Sequence, residues 1–329
     1  MIITKTPYRI SFFGGGSDFP TYYRKFGGCV IGSTINKYSY ISLRELPRFF
    51  KHKNRIVYSK IELSNTIAEI QHPCVKGVLN YFKIKKGLEI HHLGDLPAFS
   101  GIGSSSSFSV GLVNGLLALN NKNLNKKELG NLCLYIEQEI LKEHVGSQDQ
   151  MWASHGGMNI INFNKKSIEV KKLSIEKKNK KQLSNNLILF FTGKSRFSGK
   201  IEKDKKSRIS KNLAILEEMK NYVLVCKNIL EKRSSLDEFG ELLNDYWNLK
   251  KKLSNGVSNH LIDELYKEAI LSGAKGGKVI GAGGGGFILF YAKLEIQKKL
   301  IKKFNKLTPV QFEFSNEGSK IIFNEKKIT

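Results

Sequence analysis

The sequence is poor in several residue types, and each shortage limits what the protein can be. Of 329 residues only 4 are cysteines, and they are scattered without a CxxC pair or a histidine at ligand spacing. This pattern predicts reduced thiols rather than disulfides or a zinc site. No run of about 18 uncharged apolar residues exists, so no membrane-spanning helix is expected. The N-terminal segment lacks the apolar core of a secretory signal, which predicts a cytoplasmic protein.

Acidic residues are also scarce, with 29 Asp and Glu against 54 Lys and Arg, a net charge of +25. A nucleic-acid-binding protein is the alternative that rests on this charge alone. The excess is mostly lysine and diffuse, and its densest part, 165–181, alternates with apolar residues as an exposed hairpin would. Aromatic residues interleaved with arginine, which would stack on bases, are missing there. We therefore expect a solvated surface that favours anionic substrates, with no nucleic-acid or membrane partner.

The length predicts two domains or one large one, and the composition changes near 160–185. We place the domains at 1–165 and 166–329. In the first part the pattern predicts one strand over 56–63, a helix over 72–82, and a loop over 144–159. In the second part the apolar strand 187–192 suits a sheet centre, and helical periodicity follows from about 205 to 272.

Glycine is the residue that organises the sequence, in three stretches at 14–17, 101–107 and 281–286. The second, in PAFSGIGSSSS (97–107), precedes a long apolar run and predicts the start of a helix near Ser104. Unpaired amides and the positive end of the helix dipole make such a start an anion site. A P-loop is excluded, because its first glycine would fall at Ile188. A dinucleotide fold is excluded as well, because 281–286 leads into a strand.

Three segments carry a family resemblance: TPYRISFFGGGSDFP, LPAFSGIGSSSSFSVGLVNGL and GAKGGKVIGAGGGGFILF. In this order they resemble the three motifs of the GHMP small-molecule kinases. Within the sugar-kinase branch, GGGSDFP, GSQDQ, FTGKSRFSG and FEFSNEGSKIIF are most similar to the D-glycero-D-manno-heptose 7-phosphate kinases. The resemblance implies an α+β protein with an N-terminal domain like ribosomal protein S5 domain 2 and a ferredoxin-like C-terminal domain. ATP and sugar would bind between them.

The resemblance also implies the cofactor sites. ATP phosphates would bind the loop formed by Ser100, Gly101, Ile102, Gly103, Ser104, Ser105 and Ser106. Mg²⁺ would be held by Ser105 and Glu139, a set of oxygen ligands that suits this ion. Glu137 lies two residues away, and the sequence alone does not fix the helical register.

The catalytic pair implied by the resemblance is Asp149, the general base, and Arg9. Asp149 is expected in a loop, where no helix constrains its approach to the cleft. The fixed charge of Arg9 would keep Asp149 ionised and offset charge in the transition state.

For the sugar, Asp18 matches a hydroxyl ligand, and its null alternative is an aspartate that caps a turn before Phe19 and Pro20. The distal phosphate of the heptose would suit a forked guanidinium, Arg196, with Lys275 and Lys278 as rivals. The remaining substrate-binding candidates are Gly15, Gly16, Ser17, Gly283 and Gly284.

The resulting expectation is an ATP- and Mg²⁺-dependent kinase that phosphorylates O1 of D-glycero-D-manno-heptose 7-phosphate. A fucose or galactose kinase, or a non-catalytic sugar and ATP sensor on the same fold, stays open. So do the oligomeric state, a homodimer included, and any partner of the lysine-rich surface.

Overall fold

A computed structural model describes residues 1–193, 199–231 and 235–325. The strands are β1 Ile2–Phe13, β2 Gly28–Glu45, β3 Asn54–Val57, β4 Ile61–Ser64, β5 Leu88–Gly94, β6 Met158–Phe163, β7 Ile168–Lys172, β8 Leu187–Phe191, β9 Gly276–Val279, β10 Phe287–Tyr291, β11 Thr308–Val310 and β12 Lys320–Asn324. The helices are α1 Pro20–Phe26, α2 Pro73–Tyr81, α3 Ser104–Leu119, α4 Lys126–Tyr135, α5 Asp149–His155, α6 Lys177–Asn185, α7 Gly199–Ser207, α8 Leu213–Glu231, α9 Asp237–Lys251, α10 His260–Leu271 and α11 Leu294–Lys303. Among the described residues, no helix combines the length and apolarity needed to cross a bilayer.

The first sheet is built around the long strand β2. On one side β2 pairs with β1 from Ile31 to Leu43, and on the other its first half pairs with β6 and its second half with β5. Within the described residues the sheet has eight strands, in the order β12-β1-β2-β5-β3-β4, with β6 and β7 continuing from the first half of β2. β1 lies between β12 and β2 and is buried along most of its length.

Helix α3 lies against this sheet and is apolar on every side, as its sequence FSVGLVNGLLAL requires. Its buried side chains join those of α2 and the first sheet in one core. The helix begins at Ser104, as the sequence predicts, and ends at Leu119. Because α3 is held on all sides, the loop before it is fixed in position.

The second sheet is antiparallel, and its described strands run in the order β11-β8-β10-β9. Numbered by their own sequence order this is 4-1-3-2, with helices after the first strand and between the third and fourth. That arrangement is the β-α-β-β-α-β pattern of ferredoxin-like domains. β8 lies in the interior of the sheet, as its unbroken apolar run predicts.

Three predictions about the elements are wrong. Residues 56–63 form parts of two strands, β3 and β4, because the chain reverses between Val57 and Ile61. The lysine-rich stretch is not a hairpin: β7 is its only strand, and α6 follows. The loop over 144–159 contains helix α5, whose buried face carries Met151 and Trp152. The proposed boundary at residue 165 stays a prediction, although β7 and β12 both join the first sheet beyond it.

Candidate active site

A cavity lies where the three glycine stretches meet. Of the predicted site residues, those that line it are Arg9, Gly15, Gly16, Asp18, Gly101, Gly103, Ser104, Ser105, Ser106, Asp149 and Lys278. Residues that the sequence did not single out also line it, among them Ser11, Gln148, Glu202, Lys205, Tyr246 and Lys250. Both sheets therefore contribute to one site.

Arg9 reaches the cavity because β1 is irregular at this point. The register with β2 shifts between Pro7 and Arg9, where Pro7 has no N–H to give to the ladder. The backbone N–H of Arg9 instead donates to the carbonyl of Ile102, 3.1 Å away. The irregularity thus joins the first strand to the second glycine stretch.

Arg9 and Asp149 form a forked ion pair inside the cavity. Nε of Arg9 donates to Oδ1 of Asp149 at 2.7 Å, and Nη2 donates to Oδ2 at 2.6 Å. Nη1 donates to the carbonyl of Gly101 at 2.5 Å, which holds the guanidinium against the glycine loop. The Arg9 side chain is only 7% exposed, whereas Asp149 is 24% exposed and accessible from the cavity. Such a fork holds a carboxylate in a fixed orientation.

The prediction that a loop carries Asp149 is corrected here, since Asp149 is the first residue of α5. The backbone of Asp149 lies between the preceding turn and the buried residues of α5, and these residues hold it in position. The side chain still faces the cavity, because the first residue of a helix precedes the turns that would cover it.

The second and third glycine stretches touch through their backbones. Gly101 has a φ of +88°, and a Cβ there would lie 2.3 Å from the carbonyl oxygen of Ile280. A Cβ on Gly281 would lie 2.6 Å from Cα of Gly101, and the N–H of Phe287 donates to the carbonyl of Ser100 at 3.2 Å. Side chains would separate the two loops, so glycine is required for this contact.

Glu137, not Glu139, faces the serines at the start of α3. The chain makes one turn of π-helix over Ile136–Ile140, which buries Glu137 and leaves Glu139 exposed. The Glu137 carboxylate accepts hydrogen bonds from Ser106 Oγ at 2.9 Å and Gln150 Nε2 at 2.5 Å, and another from Ser109 Oγ. The assignment of Glu139 as a metal ligand is therefore corrected, because its side chain points to solvent.

Glu137 is an acidic group in surroundings that disfavour its charge. Burial, opposed by the hydrogen bond from Ser109 and reinforced by the charge of Glu143, raises the pKa of Glu137 to about 7. Within the described residues its contacts are neutral donors, so its charge has no cationic partner. Ser105, exposed on the cavity wall, offers a hydroxyl close to the same loop. Carboxylate and hydroxyl oxygens are ligands that suit a divalent ion bound to phosphate and water, and Glu137 lies buried behind the cavity wall rather than lining it.

Asp18 is buried against the segment that leads to Asp149. Its Oδ1 accepts from the N–H of Gly16 at 2.9 Å, and its Oδ2 accepts from Gln148 Nε2 at 3.0 Å. Burial is the largest cause that raises the pKa of Asp18 to about 6, and the neighbouring charge of Asp149 adds to it. A carboxylate held this way presents acceptor oxygens to a polar ligand.

Several predicted site residues do not line the cavity. Ser17 is buried in the first glycine turn, where its hydroxyl donates to the carbonyl of Gly14 at 2.8 Å. The side chains of Ser100 and Ile102 are fully buried behind the loop, with Ser100 Oγ donating to Pro97. These three residues shape the turns rather than face a ligand.

In the third stretch the predictions also need correction. Lys275 is exposed and pairs with Glu241 at 3.6 Å on the outer surface. Gly283 and Gly284 pack against Val257, whose carbonyl accepts from the N–H of Gly284 at 2.8 Å. Gly281 and Ala282 are the residues of this stretch that line the cavity. Arg196 lies outside the described residues.

Of the cavity residues that the sequence did not single out, Ser11 and Gln148 belong to the first part of the chain, whereas Glu202, Lys205, Tyr246 and Lys250 come from helices of the second part. Lys250 and Tyr246 lie one helical turn apart on α9, and Lys205 lies on α7. In the amino-acid sequence alone, these two lysines and the tyrosine look like ordinary residues of amphipathic helices. A lysine and a tyrosine at i+4 on the buried face of α9 is the signal that could have identified them.

Family models match two segments of the chain, GHMP kinases N terminal domain over residues 69–157 and GHMP kinases C terminal over residues 227–308. A D-glycero-alpha-D-manno-heptose 7-phosphate kinase from Campylobacter jejuni is 31% identical, over 97% of this chain and 98% of the relative. A D-glycero-D-manno-heptose 1-phosphate kinase from Bacteroides thetaiotaomicron has a similar structure, with a TM-score of 0.80, 23% identity, and coverage of 98% and 99%. The mevalonate kinase of Methanocaldococcus jannaschii shares the fold at a TM-score of 0.72 and 21% identity, covering 95% and 98%.

Proposed function

The chain is a member of the GHMP kinase family and an ATP-dependent sugar kinase, and on that premise we propose that its substrate is D-glycero-D-manno-heptose 7-phosphate. The reaction would add a phosphoryl group to the anomeric O1 and give the 1,7-bisphosphate. We place this step in the cytoplasm, in the synthesis of nucleotide-activated heptose for surface polysaccharide. The 31% identical relative, which matches over nearly the whole chain, supports this choice of sugar.

The observation that carries the proposal is the forked pair of Arg9 and Asp149 beside the glycine loop. In the proposed reaction Oδ of Asp149 accepts the proton of the O1 hydroxyl as O1 bonds to the γ-phosphorus. The bond from the γ-phosphorus to the bridging oxygen breaks, and ADP leaves with the electron pair. Arg9 orients Asp149 and offsets negative charge on the transferring group.

The glycine loop and the start of α3 would hold the ATP phosphates through backbone N–H groups. Ser105 and Glu137 would hold Mg²⁺. When bound, the ion would neutralise phosphate charge and align the transferred group. Asp18 and Gln148 would accept and donate hydrogen bonds to sugar hydroxyls. The buried setting of these groups excludes water that would compete for the phosphoryl group.

A substrate screen tests the proposal. ATP consumption is measured with heptose 7-phosphate, free heptose, fucose, galactose and mevalonate, each with and without Mg²⁺. We expect the highest kcat/KM with heptose 7-phosphate. ³¹P NMR should show a second phosphorus signal coupled to the anomeric proton. A higher kcat/KM with fucose or galactose would contradict the choice of sugar.

The variant Asp149→Asn tests the catalytic assignment and the non-catalytic sensor together. Loss of the base should lower kcat by about 10²- to 10⁴-fold, while ATP binding is retained. Asp245→Asn, an exposed aspartate on α9, serves as the matched control and should leave kcat unchanged. Full turnover in Asp149→Asn would refute the role of this residue.

A further inference from the structure

Two buried lysines in the cavity wall have no role in the phosphoryl transfer described above. Lys250 is 5% exposed and Lys278 is 3% exposed. Nζ of Lys250 donates to the carbonyls of Val279 and Gly281, both at 2.8 Å. Nζ of Lys278 donates to two carbonyls of β1, at 3.0 and 2.5 Å. An ammonium has three hydrogens, so each lysine keeps one donor for a ligand.

The two buried lysines have no acidic partner in the cavity. Arg9 is paired with Asp149, and Lys205 is paired with Glu202 at 3.5 Å. Asp18 is held by backbone and amide donors. In the described part of the chain the two buried lysines therefore contact no carboxylate. Burial is the main cause that holds the pKa of both ammonium groups well below 10.5, and a bound anion would reverse that effect.

Two hydroxyl groups beside the lysines also have no acceptor for their hydrogens. Ser11 Oγ and Tyr246 Oη line the same cavity and are buried, and neither donates a hydrogen bond within the described residues, although the backbone N–H groups of Gly14 and Gly15 face the Tyr246 oxygen. Ser11 is 9% exposed and Tyr246 is fully buried. The ammonium of Lys278 lies 4.7 Å from the centre of the Tyr246 ring, which places the groups side by side. Buried hydroxyls are nearly always hydrogen-bonded, so these two point to a missing acceptor.

We propose that Lys250, Lys278, Ser11 and Tyr246 bind the phosphate group that the sugar substrate already carries, and this inference rests on the proposed function. A phosphomonoester has a charge of about −1.5 to −2 at pH 7 and three acceptor oxygens. Two ammonium groups and two hydroxyl groups supply four donors and the opposite charge. This set of residues differs from the one that the sequence predicts for the distal phosphate. Lys275 faces away from the cavity, and Lys250 lies in the cavity wall in its place.

Binding measured without nucleotide tests the subsite separately from catalysis. Isothermal titration calorimetry compares heptose 7-phosphate with unphosphorylated heptose for the wild type, Lys250→Met, Tyr246→Phe and Ser11→Ala. We expect Lys250→Met to weaken binding of heptose 7-phosphate about 10- to 100-fold and the two hydroxyl variants to weaken it several-fold. Binding of the unphosphorylated heptose should change less than about threefold. Lys275→Met, which removes an exposed lysine of the same domain, should match the wild type for both sugars.

Equal weakening for both sugars in these variants would overturn the subsite, and so would unchanged binding of heptose 7-phosphate in Lys250→Met. The two hydroxyl variants remove only one oxygen each, and their thermal unfolding checks that the fold is kept. The proposed function is judged by wild-type turnover. If the wild type binds heptose 7-phosphate through these residues but does not phosphorylate it, the function fails and the subsite stands.

Discussion

Replacing Glu137 with glutamine should change how stability depends on pH. Burial raises the pKa of this carboxyl from its ordinary 4.5 to about 7, so the folded protein binds the proton more tightly than the unfolded chain. Stability that is present below pH 4.5 is then lost as the pH rises to about 7. With these two pKa values, ionisation of Glu137 lowers the free energy of unfolding by ~2.5 kcal/mol between pH 5 and pH 8. Glutamine does not ionise, so the variant avoids this loss.

The measurement is urea unfolding of the wild type and Glu137→Gln at pH 5 and pH 8. The difference in free energy of unfolding, variant minus wild type, should shift by ~2.5 kcal/mol in favour of the variant at the higher pH. Titrating groups that do not interact with Glu137 cancel in this difference because both proteins share them, and Glu143, whose charge acts on Glu137, adds a smaller contribution. Glu139→Gln, on the exposed side of the same turn, is the matched control and should show no such shift. A difference that is the same at both pH values would refute the reasoning.

Three further predictions concern the cavity. Arg9→Lys replaces a fork with a point charge and should lower kcat about 10- to 100-fold in steady-state assays; an unchanged kcat would contradict the role of the fork. Because burial raises the pKa of Asp18 to about 6, the KM for the sugar should rise as the pH falls below 6. Asp18→Asn should abolish that pH dependence, and a variant that keeps it would assign the titration to another group. In Gly146→Ala the new Cβ would lie 1.9 Å from Asp18 Oδ2, so the KM for the sugar should rise about tenfold. An unaltered KM in that variant would show that Asp18 does not contact the sugar.

The parts of the site that the sequence predicted are those that depend on local chain chemistry. The glycine stretches and the start of α3 at Ser104 follow from glycine, serine and apolar patterning, and the structure confirms the helix start. The general fold follows from the order of three motifs. Arg9 and Asp149 were predicted as a pair, and they lie in contact although 140 residues separate them.

Some errors arise where a tertiary contact overrides a local pattern. The metal position is an error of another kind: Glu139 follows from the resemblance, whereas the buried residues Leu129, Cys133 and Glu137 lie four residues apart, and this helical spacing already places Glu137 on the buried face. Polar residues around Asp149 suggest a loop, yet Trp152 and Met151 bury one face of a short helix there. Sequence patterns do not identify Lys250 as a site residue, because its burial depends on β9, which begins at Gly276, 26 residues further along the chain.

The pairing of β12 with β1 has a consequence for how the cleft can open. The strands of the second sheet are contiguous in sequence, and strands of the first sheet precede and follow them. Topologically the second sheet is an insertion, attached to the first by an outgoing and a returning segment. Phe12 and Phe13 of β1 also pack edge to face on Phe239 of α9, so a shared core joins the two sheets in addition to the two attachments. Opening of the cleft must preserve that core, and a circular permutant that connects Met1 to Glu325, whose backbones already meet at 3.1 Å, should keep both the core and the pairing of β12 with β1.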